Sequence, residues 1–225
     1  MNIDNRQKFD DKWKNTIKNE CKTFDLNLTD SQLDLFALHA VNLLFWNKTI
    51  NLTSITDSVQ MAHKHFIDSL HLMPHIGNGK VILDIGSGGG FPGFCLKVAN
   101  PAFNIVMIDS AKKKVNFLKE LIRKSSMENI TAEHVRAQES AFDNHYKHMF
   151  DVVVSRAFTR LDRFVELSKP FLNKTGFILA MKSRAVQEEL KLIKQIKGLE
   201  IETFSYTLAF RKSKRSIIKI TVNQP

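Results

Sequence analysis

The chain has 225 residues, 43% apolar and 25% charged, enough for one sizeable soluble domain with a full core and a smaller appendage. Its longest nearly uncharged stretch, Leu35 to Trp46, is too short to cross a bilayer, and the charged N-terminus lacks a signal-peptide apolar run. The two cysteines, Cys21 and Cys95, have neither metal-ligand spacing nor partners for a disulfide framework, so a membrane protein and a disulfide scaffold are excluded and a reduced, cytoplasmic setting is expected.

The predicted elements begin with a helix over 31–47, where Leu33, Phe36, Ala40, Leu43 and Leu44 recur at helical spacing. A second helix is expected over 57–73, ended by Pro74. Residues 1–75 therefore read as a small helical cap, joined by HIGNGK to a second region, 76–225. There the pattern alternates. VILDI (81–85) is a strand of buried type, and PGFCLKVA starts a helix with Pro92 at its first position. NIVMID (104–109) is the next strand, and the helix AKKKVNFLKELIRKSS follows with Val115, Leu118, Leu121 and Ile122 on one face. ITAEHVRA, FDVVVSRA and GFILAMKS (176–183) continue the strands, with LDRFVELSKPFL helical between the last two and RAVQEELKLIKQI helical after them. IETFSYTLAF and SIIKITV, joined by RKSKR, form an antiparallel hairpin. Alternating strands and helices give an α/β domain with a mostly parallel sheet, whose ligands lie beyond the carboxyl ends of the strands.

The first 75 residues carry 8 Lys/Arg against 9 Asp/Glu, and the remainder 25 against 14. The whole +10 surplus thus belongs to the second region, which points to a polyanionic partner or to a lysine-rich solubilising surface.

Gly88-x-Gly90-x-x-Gly93 formally matches a dinucleotide fingerprint, a weak signal when it stands alone. Asp84 closes the strand just before this loop, and its carboxylate would repel a pyrophosphate by roughly 1–4 kcal/mol at about 4 Å. A ligand carrying a sulfonium and an ammonium reverses that sign, so the loop favours S-adenosyl-L-methionine over NAD. A bare strand-to-helix turn is the alternative. Asp109, ending the second strand, suits the two ribose hydroxyls of either cofactor.

The loop DIGSGGGFPG, VVSRAF (153–158), NLTS (51–54) and KHFIDSL (64–70) together resemble the RsmG/GidB family of bacterial 16S ribosomal RNA guanine-N7 methyltransferases. The similarity runs from about residue 30 to residue 183. It implies a class I, Rossmann-like methyltransferase fold with seven strands, a C-terminal antiparallel hairpin and a helical N-terminal extension. It also implies a guanine in the decoding-region loop of small-subunit rRNA as substrate. Carried over onto matching positions, Gly86, Gly88 and Phe91 would meet the methyl donor. Ala137 and Gln138 would border its adenine, and Arg156 of SRAF would lie at the donor and substrate boundary. The family commonly has glutamate where this chain has Gln138, so a role needing negative charge there is not carried over.

Guanine N7 presents a lone pair at neutral pH, so positioning rather than a general base would supply the catalysis. The sequence agrees by omission, with no (D/N)PP(Y/F) motif after the fourth strand and no cysteine placed for attack on a pyrimidine. Arg156 is assigned to phosphate, guanine O6 or the donor carboxylate rather than to N7, with a surface arginine as the alternative. Lys182 is a candidate for the RNA backbone, as are Lys112 and Lys113 of the KKK run and Arg211, Lys212, Lys214 and Arg215 of RKSKR; solvated patches are the alternative. His65, Asp68 and Ser69 share a helical face, either packing the cap or lining the substrate side. The partner expected is 16S rRNA or the small ribosomal subunit, bound by a monomer with no membrane association. A small-molecule methyltransferase and a non-catalytic RNA-binding module are the competing readings.

Overall fold

The computed structural model describes residues 8–137, 145–183 and 186–222. The first helix, α1 (Asp11–Lys22), had no periodicity-based expectation. Asp10 caps it by accepting from the Trp13 amide, and Trp13, Ile17 and Cys21 form its buried face. Helix α2 (Asp30–Asn47) starts one residue before the expected point, because Thr29 and Gln32 cap each other's backbone reciprocally. Helix α3, residues 58–70, is capped by Asp57 and widens into a π-helical stretch over Ala62–Ile67. It ends at Leu70 rather than 73, and Pro74 lies inside a separate 3₁₀ turn, Met73–His75. Proline disfavours α geometry at the residue before it, which stops the helix early.

The strands are β1 (Val81–Ile85), β2 (Asn104–Asp109), β3 (Ile130–His134), β4 (Phe150–Arg156), β5 (Leu172–Lys182), β6 (Leu199–Leu208) and β7 (Ser213–Val222). They form one sheet in the order β3-β2-β1-β4-β5-β7-β6, parallel except for β7, which pairs antiparallel with both neighbours. Helices α4 (Gly93–Ala99), α5 (Lys112–Ser125), α6 (Leu161–Ser168) and α7 (Gln187–Ile193) make the crossovers. The expected strand at 176–183 starts earlier, at Leu172, because a register irregularity against β4 lets the chain pair again before Gly176.

Strand alternation divides the core into two layers. Ile82, Val152, Val154 and Leu179 face one cluster, while Leu83, Val153, Ile178 and Ala180 face the other. The first cluster is continuous with the N-terminal helices: Trp13, Phe36 and Phe66 pack in it together with Phe91, Phe94 and Phe117. The regions 1–75 and 76–225 thus share one core, with each fully buried aromatic contributing about 1.5–3 kcal/mol. The order reverses between β1 and β4, and the crevice at their carboxyl ends is where the site is built.

Candidate active site

Alternation along β1 puts Asp84 on the same sheet face as Ile82, beneath α4, and this moves it away from the mouth of the glycine loop. It is fully buried; Oδ2 accepts from the Gly93 amide at 2.9 Å, and Oδ1 has no partner among the described residues. Burial pushes its carboxyl up to about 7, against the pull of the Gly93 N–H. A Cβ on Gly93 would sit 2.7 Å from Oδ2, so glycine there lets the helix start directly against the carboxyl. Asp84, expected to partner a donor ammonium directly or through water, is thus placed beneath α4 and is not among the residues lining the cleft. The same holds for Phe91, whose ring is buried between His39 and His65, with centroids 4.6 Å away on each side.

A cleft of about 420 Å³ opens over the loop, bordered by Gly86, Asp109, Ser110, the segment 135–137 and Arg156 to Phe158. Asp109 is held by two backbone donors, Gly88 N–H at 3.0 Å and Ala111 N–H at 2.8 Å, one to each oxygen. Each oxygen keeps a further lone pair for a ligand hydroxyl. Gly86 has φ +76°, and a Cβ there would meet the Phe158 ring at 2.5 Å. The cradle is thus made of backbone. Ala137 lines the cleft, and Gln138 lies outside the described residues.

A second cavity, about 570 Å³, lies between α3, the end of β4, the end of β5 and the β6–β7 hairpin. Its wall carries Lys64, Arg156, Arg160, Lys182 and Arg215 against Asp68 and Glu189. Arg156, Ala157 and Phe158 border both cavities, so the two meet there. Ala157 takes the left-handed φ of +52°, which turns the chain sharply between the arginine and the phenylalanine. Arg156 reaches back onto the cap: it donates to Lys64 O at 2.8 Å, approaches His65 Nδ1 at 3.2 Å, and lies 4.8 Å from the Phe91 ring centroid. Asp68 stands 3.8 Å from Arg156 and 3.7 Å from Arg215, and accepts from the Tyr206 hydroxyl at 2.7 Å. Burial holds His65 neutral, pushed down to about 2 with the nearby Arg156 charge adding to the effect.

The candidate phosphate binders divide in two. Lys112, Lys113, Arg211, Lys212 and Lys214 are exposed. Lys182 is instead tied to Thr159 O at 2.6 Å and to Glu189 at 2.8 Å, and Arg215 faces Asp68; both line the second cavity rather than an open surface.

Residues 32–218 match the family described as GidB, rRNA small subunit methyltransferase G. The chain belongs to that family. Ribosomal RNA small subunit methyltransferase G of Lachnoclostridium phytofermentans is 40% identical over 172 residues, 76% of this chain and 71% of the relative. Its counterpart in Geobacter sp. strain M21 is 36% identical over 214 residues, 93% of this chain and 98% of the relative. Among solved structures, a SAM-dependent methyltransferase from Aquifex aeolicus superimposes with TM-score 0.55 at 16% identity, covering 72% of this chain and 93% of that one. The YcgJ protein from Bacillus subtilis gives 0.55 at 14% identity, covering 70% and 99%. The fold of this methyltransferase G family member is that of the Rossmann-like methyltransferases.

Sequence reasoning gave no role to Phe158 or Tyr206, and it left His65 and Asp68 between packing and the substrate side. For Phe158, His65 and Asp68 the signal was present, since they stand in strings shared with the family. Tyr206 carried none, because only the β6–β7 hairpin brings it to α3.

Proposed function

We propose that this protein transfers a methyl group from S-adenosyl-L-methionine to N7 of a guanine in the decoding-region loop of small-subunit rRNA. The observation that carries this reading is the meeting of two cavities at Arg156 to Phe158, one with a ribose-type carboxylate, the other lined by cations. The residues of the first cavity fit the donor. Asp109 offers lone pairs to two hydroxyls, the backbone at Gly86 admits close approach, and Ala137 borders an adenine. When bound, the donor supplies an electrophilic methyl on sulfur. The chain's task is to hold a nucleophilic ring nitrogen in line with it, and N7 gives up no proton on attack, so no base is needed.

The cationic second cavity and the exposed Lys112, Lys113, Arg211, Lys212 and Lys214 suit a phosphate backbone. Among the described residues no helix is long and apolar enough to cross a membrane. Mass spectrometry of rRNA from a strain lacking the protein tests the reading. The expected result is the loss of one 7-methylguanosine from small-subunit rRNA; an unchanged content of that nucleoside refutes it.

A further inference from the structure

Two neighbouring family strings, NLTS (51–54) and KHFIDSL (64–70), converge on the guanidinium of a distant third, VVSRAF (153–158). At the end of α2, the Asn47 amide holds the NLTS segment: it accepts from the Leu52 and Thr53 N–H groups at 2.8 and 2.9 Å and donates to Thr53 O at 2.9 Å. This fixes the Thr53 hydroxyl 2.8 Å from His65 Nε2. On the other side of the ring, Nδ1 faces the Arg156 guanidinium at 3.2 Å. A guanidinium only donates, so this contact is made in the tautomer that carries the imidazole proton on Nε2, directed at Thr53, whereas the other tautomer would turn Nδ1–H to Lys64 O. Lys64 O, 3.2 Å from Nδ1, accepts from the same guanidinium. Below it, Asp68 lies between Arg156 and Arg215 and is oriented by Tyr206.

We propose that Thr53, His65 and Asp68 are positioning residues that hold the Arg156 guanidinium as a fixed, charge-compensated wall between the donor and substrate cavities. The inference rests on the functional reading above. The need for compensation follows from the chemistry. The donor arrives as a sulfonium, and attack through N7 leaves the guanine ring cationic, so an uncompensated guanidinium at the junction would oppose both. Asp68, shared with Arg215, offsets part of that charge from the α3 wall of the second cavity, away from the junction at Arg156 to Phe158. Thr53 and His65 set the direction of the fork: in the neutral tautomer whose proton is directed at Thr53, Nδ1 receives from the guanidinium. Arg156 is then free to present its outer edge to a phosphate, a base oxygen or the donor carboxylate while its inner edge is anchored.

The test is a set of double-mutant cycles on the full-length protein, comparing Asp68→Asn, Thr53→Val and Arg156→Lys with the doubles D68N/R156K and T53V/R156K. Transfer is measured from S-adenosylmethionine to small-subunit rRNA taken from cells lacking the modification, alongside Tm and adenosylhomocysteine binding by calorimetry. Each single variant is expected to lower kcat roughly 10- to 100-fold with KM for rRNA little changed, because misplacement by about 1 Å is felt in the reaction step. Each double should be no worse than Arg156→Lys alone, since residues acting through one group are non-additive. Multiplicative losses, or a lowered Tm with kcat unchanged, overturn the proposal. If Asp68→Asn does not fold, the half-buried Thr53, altered by a near-isosteric swap, carries the same cycle. A wild-type protein that transfers nothing overturns the functional reading and this proposal with it; active wild type with additive variants overturns the proposal alone.

Discussion

Replacing Asp84 by asparagine should make the stability of the ligand-free protein less pH-dependent, the variant gaining steadily on the wild type as the pH rises from 4 to 7. The carboxyl is fully buried under α4 with one oxygen unpartnered among the described residues, and its folded-state value is about 7. In the unfolded chain an aspartate titrates near 3.9. Between those two values the folded protein keeps a proton that the unfolded chain gives up. Stability from this group therefore falls with rising pH, by about 1.4 kcal/mol per pH unit, and levels off above 7 at a total of about 4 kcal/mol. Asparagine has no such titration, and its oxygen can still accept from Gly93 N–H. Its amide nitrogen takes the place of the unpartnered oxygen at a fixed cost of about 1–3 kcal/mol, which shifts the whole difference without changing its slope. Urea unfolding of both proteins at pH 5, 6, 7 and 8, followed by circular dichroism, reads that slope directly. A difference that stays flat between pH 5 and 7 would refute the burial argument.

In the wild type the opposite trend should dominate below neutrality. His39, His65 and His71 are pushed down by burial to about 3, 2 and 4, so the unfolded chain takes up protons below about 6.5 that the folded one refuses. Three such groups against Asp84 leave a net loss of about 3 kcal/mol per pH unit on acidification, and a urea midpoint that fails to drop from pH 6.5 to 5 would contradict this. Gly86→Ala should weaken adenosylhomocysteine binding at least about tenfold, since the Cβ would displace Phe158 from the cleft wall, while the left-handed φ, costing roughly 1–2 kcal/mol in free and bound protein alike, should lower Tm. Calorimetry decides it, and an unchanged Kd counts against the assignment of that cleft. Affinity for rRNA should fall steeply with salt. Reversing both Lys112 and Lys113 to glutamate should reduce the log–log slope by roughly 1.4–1.8 if each contacts one phosphate; an unchanged slope removes them from the interface.

The alternation of strands and helices, the antiparallel hairpin and the polar ends of the parallel strands were legible because they follow local periodicity. What periodicity could not supply was the direction of single side chains. VILDI showed that an acid ends the strand, but only the parity of β1 reveals that Asp84 turns under α4 while the cleft forms over Gly86. Helix α1 was missed because its buried face is just Trp13, Ile17 and Cys21 amid charged residues. The arginine of SRAF was legible as a residue at the carboxyl end of β4, where it borders both cavities. Its anchoring was not, because Thr53, His65, Asp68 and Tyr206 meet only through tertiary contacts between α3, the loop before it and β6. The same limit applied to Lys182 and Arg215, which read as free cations until their carboxylate partners came into view.

The most direct measurement is a reconstituted transfer with purified protein, methyl-labelled S-adenosylmethionine and unmodified small-subunit rRNA, followed by nucleoside analysis and by strand scission at 7-methylguanosine. The expected outcome is label in 7-methylguanosine alone, with cleavage at one guanine of the decoding-region loop. Label on an exocyclic amine or a ribose, or no transfer under conditions where the protein binds adenosylhomocysteine, would contradict it.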